Sequence, residues 1–334
     1  MAKYNPLKIA LLGHGTNDIP PKGWGAVESL IWTYYQGLTA LGHYVKIINT
    51  MDNDAIVGYL NAHPWDIIHL HDDSLINLVP ELNHKGLIVL TSHYPAIHDR
   101  SVWNDKVTGY NFETLVIQPL LHYSRLNKQI VVGALCQKDR DAFVAMGIPE
   151  NQIFMMVNGA SAKEMECDDR ATNGLTICLA QISERKRQKA LFGIPSVVFY
   201  GPSPTPVTDP AYKGEMSGPV RNKTLTEYEN MVLLSTAEAS PLAIKEGLMA
   251  GLGLVLSEAV ASEIEPKPWI TVIPESHIWN KAYVQAAILE NRALTKGRKQ
   301  EIRKDAMSQW DWPILIQKYV ANLQQLLSVV DMAA

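Results

Sequence analysis

Cysteine is scarce. The chain of 334 residues holds three, Cys136, Cys167 and Cys178, and none stands in a C-x-x-C pair. An odd number without paired spacing argues against a disulfide framework or a zinc ribbon and suits a reducing compartment. Long apolar runs are also missing. No window of about 18 apolar residues occurs, so no membrane-spanning helix is expected. The apolar part of "LKIALLG" (7–13) is too short for the hydrophobic region of a signal peptide. The expectation is a cytoplasmic protein, with peripheral contact to a membrane left open. Nor is positive charge in excess: 30 Lys+Arg face 34 Asp+Glu, a net of −4. That balance speaks against a dedicated nucleic-acid binder. The chain has no G-x-G-x-x-G, no Walker loop, no low-complexity tract and no short-period repeat. Nicotinamide enzymes, P-loop ATPases and solenoids therefore lose support.

What is present is core material. The sequence is 47% hydrophobic and 19% charged, and its length suits about two domains. "LKIALLG" reads as a buried strand, "HGTNDIPPKGWG" (14–25) as a loop, 26–42 as an amphipathic helix and "HYVKIINT" (43–50) as the next strand. This is one βαβ unit. Strand-like runs at 65–73, 85–95, 129–136 and 152–160 continue it, and the polar segment 161–174 reads as a linker. A second series has strands at 175–181, 196–202, 231–236, 253–259 and 269–274. Helical pattern follows to 330, with a long last helix from about Pro313.

In such sheets ligands bind beyond the carboxyl ends of the strands, and most of the unusual polar residues sit there. Gly23 and Gly25 flank Trp24 at a loop-to-helix junction. Small residues beside free helix amides suit a phosphate, and an ordinary tight turn is the alternative. His93 follows a strand end in "TSHYP", as a ligand contact or as a structural histidine. His69 and His71 share one strand face without a third ligand at suitable spacing, so no metal site is expected. "SERKRQKAL" (183–191) places Arg185 and Lys186 at an apparent helix start, where cations oppose the helix dipole unless an anion lies between them. In "EASPLAIKE" Ser240 reads as an N-cap and Pro241 as the first helical residue. Glu238 then lies in the loop before the helix and Glu246 on its second turn. Each carboxylate can accept two hydroxyl hydrogen bonds, as a sugar or ribose diol would offer.

Glu238 and Glu246 match the E-x7-E motif of retaining glycosyltransferases with the GT-B fold, and the chain resembles family 4 of these most closely. Four further segments follow in the family's order. "PPKGWGAVESLIWTYYQGLTALGHYVKI" is similar to its N-terminal glycine loop and helix, and His93 stands at its histidine after the fourth strand. "VNGA" (157–160) and "LAQISERKRQ" resemble its "PNG" and basic segments. The resemblance implies an α/β protein of GT-B type, two Rossmann-like doubly wound domains facing a central cleft. It implies an acceptor-side domain over 1–165, a donor-side domain over 166–312, and a C-terminal helix over 313–334 packing back on the first.

By the same resemblance Lys186 would neutralise the donor diphosphate. Gln181 stands where the family usually has an arginine, so half of the cationic clamp is missing or is supplied by Arg185. Glu246 would hold the ribose, and Glu238, with Ala239, Ser240 and Leu242, the donor sugar and phosphate. Gly23, Trp24 and Gly25 would approach the diphosphate, and His93 the transferred sugar. His93, Lys186 and Glu238 are the expected catalytic set. No cofactor or metal is implied; the donor would be a nucleotide sugar, UDP- or GDP-linked, and the reaction a retaining transfer. The acceptor stays open among saccharide, lipid-linked, small-molecule and nucleic-acid substrates, with its recognition in the loops 14–25 and 93–112. Oligomeric state also stays open. Two other readings remain: a GT-B epimerase or sugar phosphorylase, and a degenerate nucleotide-sugar-binding or partner protein.

Overall fold

Runs of β-branched and aliphatic residues that end in a polar cluster form the parallel strands of two sheets. The computed structural model describes residues 5–103, 111–126, 129–262 and 264–331. Residues 104–110, part of the expected acceptor loop, lie outside that set. The chain divides into two compact units, Met1–Val157 with Leu315–Ala334, and Asn158–Ile314.

The first unit has strands β1 (Lys8–Leu12), β2 (Tyr44–Ile48), β3 (Ile67–Leu70), β4 (Leu87–Leu90), β5 (Ile130–Ala134) and β6 (Ile153–Met155). All are parallel, in the order β2-β1-β3-β4-β5-β6. Every residue of β3, β4 and β5 is buried, as expected of parallel strands covered on both faces. The edge strand β2 has two exposed residues. Helices α1 (Ala26–Ala40), α2 (Asn53–Ala62), α3 (Gln118–Leu126) and α4 (Gln137–Met146) accompany these strands. Strand order reverses between β1 and β3, so the loops after these two strands flank the switch point where such sheets bind ligands.

The second unit has β7 (Thr176–Leu179), β8 (Val197–Tyr200), β9 (Asn230–Leu233), β10 (Gly253–Ser257) and β11 (Ile270–Ile273), parallel in the order β11-β10-β9-β7-β8. Its helices are α5 (Gly218–Thr224), α6 (Leu242–Met249), α7 (Glu258–Ala261), α8 (Lys281–Thr295) and α9 (Lys299–Trp310). Here the order reverses between β7 and β9, whose pairing runs through Thr176–Asn230 and Ile177–Met231. The segment 161–174, read from its polarity as a linker, is held inside this unit. Glu166 N–H donates to Asn222 C=O at 2.8 Å and Asn173 N–H to Glu227 C=O at 2.8 Å. Arg303 Nη1 donates to the carbonyls of Met165 and Met249 at 2.8 and 2.7 Å.

Helix α10 (Trp312–Asp331) ends the described chain, and from Leu315 onward it belongs to the first unit. Tyr319 on α10 is fully enclosed there. Its ring lies 5.0 Å edge-on from that of Tyr34 on α1. No described helix is long and apolar enough to cross a membrane.

Candidate functional site

In the second unit the two loops that leave the switch-point strands bring charged groups together. The loop after β7 carries Arg185 and Lys186, and the loop after β9 carries Glu238. Lys186 Nζ bonds Glu238 Oε1. Arg185 Nη1 lies 3.4 Å from Glu238 Oε2 and donates to Ala237 C=O at 2.6 Å. Glu238 is buried, at 6% exposure. Burial pushes its carboxyl upward, but Lys186 and Arg185 outweigh that and hold it below the usual range. Burial lowers the Lys186 ammonium against the pull of Glu238.

The basic segment is not a helix start. Residues 183–187 form turns, Arg187 takes the left-handed conformation at φ 52°, and a short 3-10 turn covers Gln188–Ala190. The expectation of cations opposing a helix dipole is therefore replaced by pairing with a carboxylate. Arg187 is engaged separately, donating to the carbonyls of Leu234 and Ser235 and to Glu275.

Helix α6 begins one residue later than expected. Pro241 is its N-cap with ψ 122°, and no side chain caps it. Its first amides are left without intrahelical partners. Ser240 bonds elsewhere. Its Oγ accepts from Asn158 N–H at 3.1 Å and its carbonyl accepts from Asn158 Nδ2 at 2.8 Å. That ties the "VNGA" asparagine to the loop carrying Glu238 and Ala239, just before Leu242. Glu246 is buried on the second turn of α6, where Arg221 of α5 reaches it, Nη2 to Oε1 at 3.2 Å. Burial raises its carboxyl despite that cation. Gln181 is exposed, and its carbonyl accepts from Gln188 Nε2 at 2.9 Å. Across from it, Gly201 at the end of β8 has φ +144°, and a Cβ there would overlap the Ala180 carbonyl. Only glycine lets the two strand ends close so tightly.

In the first unit the loop after β1 is pinned by Asn49, which accepts from Gly15 N–H at 2.9 Å and donates to Asn17 C=O at 2.8 Å. Gly15, at φ +89°, lies against the Thr50 backbone, with which a Cβ would clash. Residues Thr16, Asn17, Asp18, Lys22, Gly23 and Trp24 line a polar depression of about 300 Å³. Trp24 is 37% exposed and open space surrounds Gly23. Gly25, the N-cap of α1, has no side-chain cap bond.

His93 follows β4 and meets His71, which follows β3: His71 Nδ1 and His93 Nε2 are 3.0 Å apart. Burial pushes His93 down to about 4. Nearby Asp73 is buried; its Oδ2 accepts from Ser92 Oγ at 3.0 Å and its Oδ1 has no partner. Burial raises this carboxyl to about 7. Among the described residues, metal-ligating types gather at His98, Cys136 and Asp139. There His98 Nδ1 bonds Asp139 Oδ1 at 2.7 Å, and Cys136 Sγ accepts Asp139 N–H at 3.4 Å as the cap of α4.

Within the second unit the sequence-derived set Arg185, Lys186 and Glu238 is thus brought into contact, with Ala239, Ser240 and Leu242 adjacent in the chain. Among the described residues, no hydrogen bond joins the Gln181 side chain to them. Sequence reading missed Arg221, Asp73, and the pairing of His71 with His93. Arg221 lies in a passage without pattern, whereas the alternation in "HLHDD" did place His69 and His71 on one face.

No protein-family model matches the chain, and no curated protein matches it in sequence. Solved structures match it in fold. Sucrose-phosphate synthase from Thermosynechococcus elongatus superposes with a TM-score of 0.72 at 14% identity, over 97% of this chain and 100% of that one. HepE of Anabaena, solved with UDP and glucose, gives 0.70 at 13%, over 96% and 100%. AviGT4, a glycosyltransferase involved in avilamycin A biosynthesis, gives 0.69 at 16%, over 97% and 98%. At these identities the likeness concerns the fold. The chain has the two-sheet α/β fold of GT-B glycosyltransferases.

Proposed function

We propose that the protein is a retaining glycosyltransferase that moves a sugar from a nucleotide sugar, UDP- or GDP-linked, to a hydroxyl acceptor, with no metal taking part. The observation that carries this reading is the Lys186–Glu238–Arg185 cluster at the β7–β9 switch point of a GT-B fold. A buried carboxylate flanked by two cations can bind sugar hydroxyls while the cations face a diphosphate. Glu246 takes the ribose diol. The likeness to HepE, solved with UDP and with UDP-glucose, supports the choice of donor class.

In this mechanism the bond from C1 of the sugar to the diphosphate oxygen breaks as the acceptor oxygen bonds C1 from the same face. The acceptor proton passes to the departing diphosphate. Lys186, Arg185 and the amides at the start of α6 stabilise the charge growing on the leaving oxygens. Groups fixed in advance do this without reorganising, and losing one donor of this kind costs about 10²–10³-fold in rate. The family resemblance assigns His93 to the transferred sugar.

A second reading has one observation in its favour. Gln181 is exposed and uncharged, so a protein that binds nucleotide sugars without turning them over is the alternative. The test is to incubate the protein with UDP- and GDP-sugars and an acceptor panel, following nucleoside diphosphate release and the anomeric configuration of the product. Release with retained configuration supports the enzyme. Binding without release supports the alternative, and inversion contradicts the mechanism.

A further inference from the structure

The hydrogen bonds around the histidines of β3 and β4 have a direction. Tyr319 OH and His69 Nδ1 are 2.8 Å apart, His69 Nε2 and Thr91 Oγ1 are 2.9 Å apart, and Thr91 Oγ1 donates to Met156 Sδ at 3.3 Å. Each proton on that line has an acceptor when Tyr319 donates to Nδ1 and His69 carries its own proton on Nε2. His69 is thereby fully used. It stacks on His71 with ring centroids 3.9 Å apart and offers His71 no hydrogen bond.

His71 has one partner, His93, through Nδ1, while its Nε2 is enclosed without any. Burial keeps all three rings neutral near pH 7. Two arrangements of the 3.0 Å bond are then open. If His93 Nε2–H donates, His71 must carry its own proton on Nε2, leaving a buried N–H with no acceptor. If His71 Nδ1–H donates, only a bare lone pair is left at Nε2. An orphaned buried donor is the rarer and costlier of the two.

We propose that His71 is a positioning residue: its Nδ1–H donates to His93 Nε2, fixes His93 as the Nδ1–H tautomer, and presents His93 to the transferred sugar as a hydrogen-bond donor rather than as a proton acceptor. The outward nitrogen, His93 Nδ1, has no partner among the described residues and is not among the enclosed polar atoms lacking one. It is the atom left for a ligand. A sugar hydroxyl oxygen or a developing oxyanion can accept from it; an acceptor hydroxyl cannot lose its proton to it. The proposal rests on the reading above in assigning the sugar as the ligand, and it removes His93 as a general base. The proton must then go to the leaving diphosphate.

The test is ¹⁵N–¹H correlation spectroscopy of protein labelled with [¹⁵N]histidine at pH 7, with His71 and His93 assigned from His71→Asn and His93→Gln. His93 Nδ1 is expected at a protonated, pyrrole-type shift and Nε2 at a bare, pyridine-type shift. The reverse pattern overturns the proposal. His71→Asn, whose amide can donate from the place of Nδ1, is expected to keep the His93 tautomer and turnover within a few-fold of wild type. His71→Phe is expected to mix the tautomers and lower kcat about tenfold with little change in KM, the worth of about one hydrogen bond. A folded His71→Phe protein with an unchanged His93 spectrum and full kcat also overturns it. The spectra need no donor. The expected tautomer in a protein that transfers no sugar would support the positioning role and count against the proposed reaction alone.

Discussion

Lys186 and Glu238, 52 positions apart in the chain, meet as a part-buried ion pair where strand order reverses between β7 and β9. Removing Lys186 leaves the buried Glu238 carboxylate with Arg185 as its remaining cation, so the loss falls below the about 3–5 kcal/mol of a fully unpaired buried charge. Lys186→Met is therefore expected to melt below wild type and to lose about 10²–10³-fold in turnover. Lys186→Met with Glu238→Gln should recover most of the stability and none of the turnover. Thermal melts and steady-state rates on the four proteins check this. Additive losses in stability would show that the pair is not coupled.

Arg221 and Glu246 give a pH-dependent prediction. Burial raises the Glu246 carboxyl and Arg221 counteracts that, so Arg221→Gln moves its titration further up. In the proposed donor site, ribose hydroxyls donate to the ionised carboxylate, so binding there is expected to tighten as pH rises through its pKa. Relative to wild type, Arg221→Gln should bind nucleoside diphosphate more weakly at the more acidic of two pH values, with the gap narrowing at the more alkaline one. Calorimetric titrations at the two values decide it; an equal loss at both would remove the electrostatic role.

Asp73 acts on stability. Its carboxyl is raised by burial from 3.8 to about 7 in the folded protein. A group raised in this way contributes stability at low pH and loses it as pH climbs from the unfolded value toward the folded one. The loss is about 1.4 kcal/mol for each tenfold difference in proton affinity between the two states. Asp73→Asn keeps an oxygen for Ser92 and removes the ionisation. The variant should exceed wild type in stability at pH 8, with the difference fading by pH 4. Denaturant melts at both values test this, and a constant difference would refute it.

Tyr319 reaches His69 from 250 positions away. Tyr319→Phe leaves His69 Nδ1 buried and unbonded, a cost of about 1–3 kcal/mol. Urea unfolding measures it, and a loss below about 0.5 kcal/mol would mean that the bond adds nothing.

The strands were legible because a parallel sheet buried on both faces demands apolar runs, and "IALL", "GLIVL" and "GLVL" are such runs. Lys186 and Glu238 were legible because strand ends are where such sheets bind. The rest depends on three-dimensional relations without local pattern. Ser240 has the residue type of an N-cap, yet the extended Pro241 moves that role onward and Asn158 takes the serine. The basic cluster reads as a helix start, but Glu238, remote in sequence, organises it as a turn. Arg221 emerges from the Pro- and Gly-rich passage after β8, where periodicity says nothing. Tyr319 meets His69 only because α10 packs into the first unit.

The most direct test of a nucleotide-sugar donor site is a thermal-shift titration with UDP, GDP, ADP and dTDP on wild type and Glu246→Ala. A ligand bound only by the native state stabilises it by about 2.7 kcal/mol at a hundred times Kd. One uridine or guanosine diphosphate should raise the wild-type melting temperature, and that rise should vanish in the folded Glu246→Ala protein. No shift with any of the four, or an equal shift in the variant, would contradict the account.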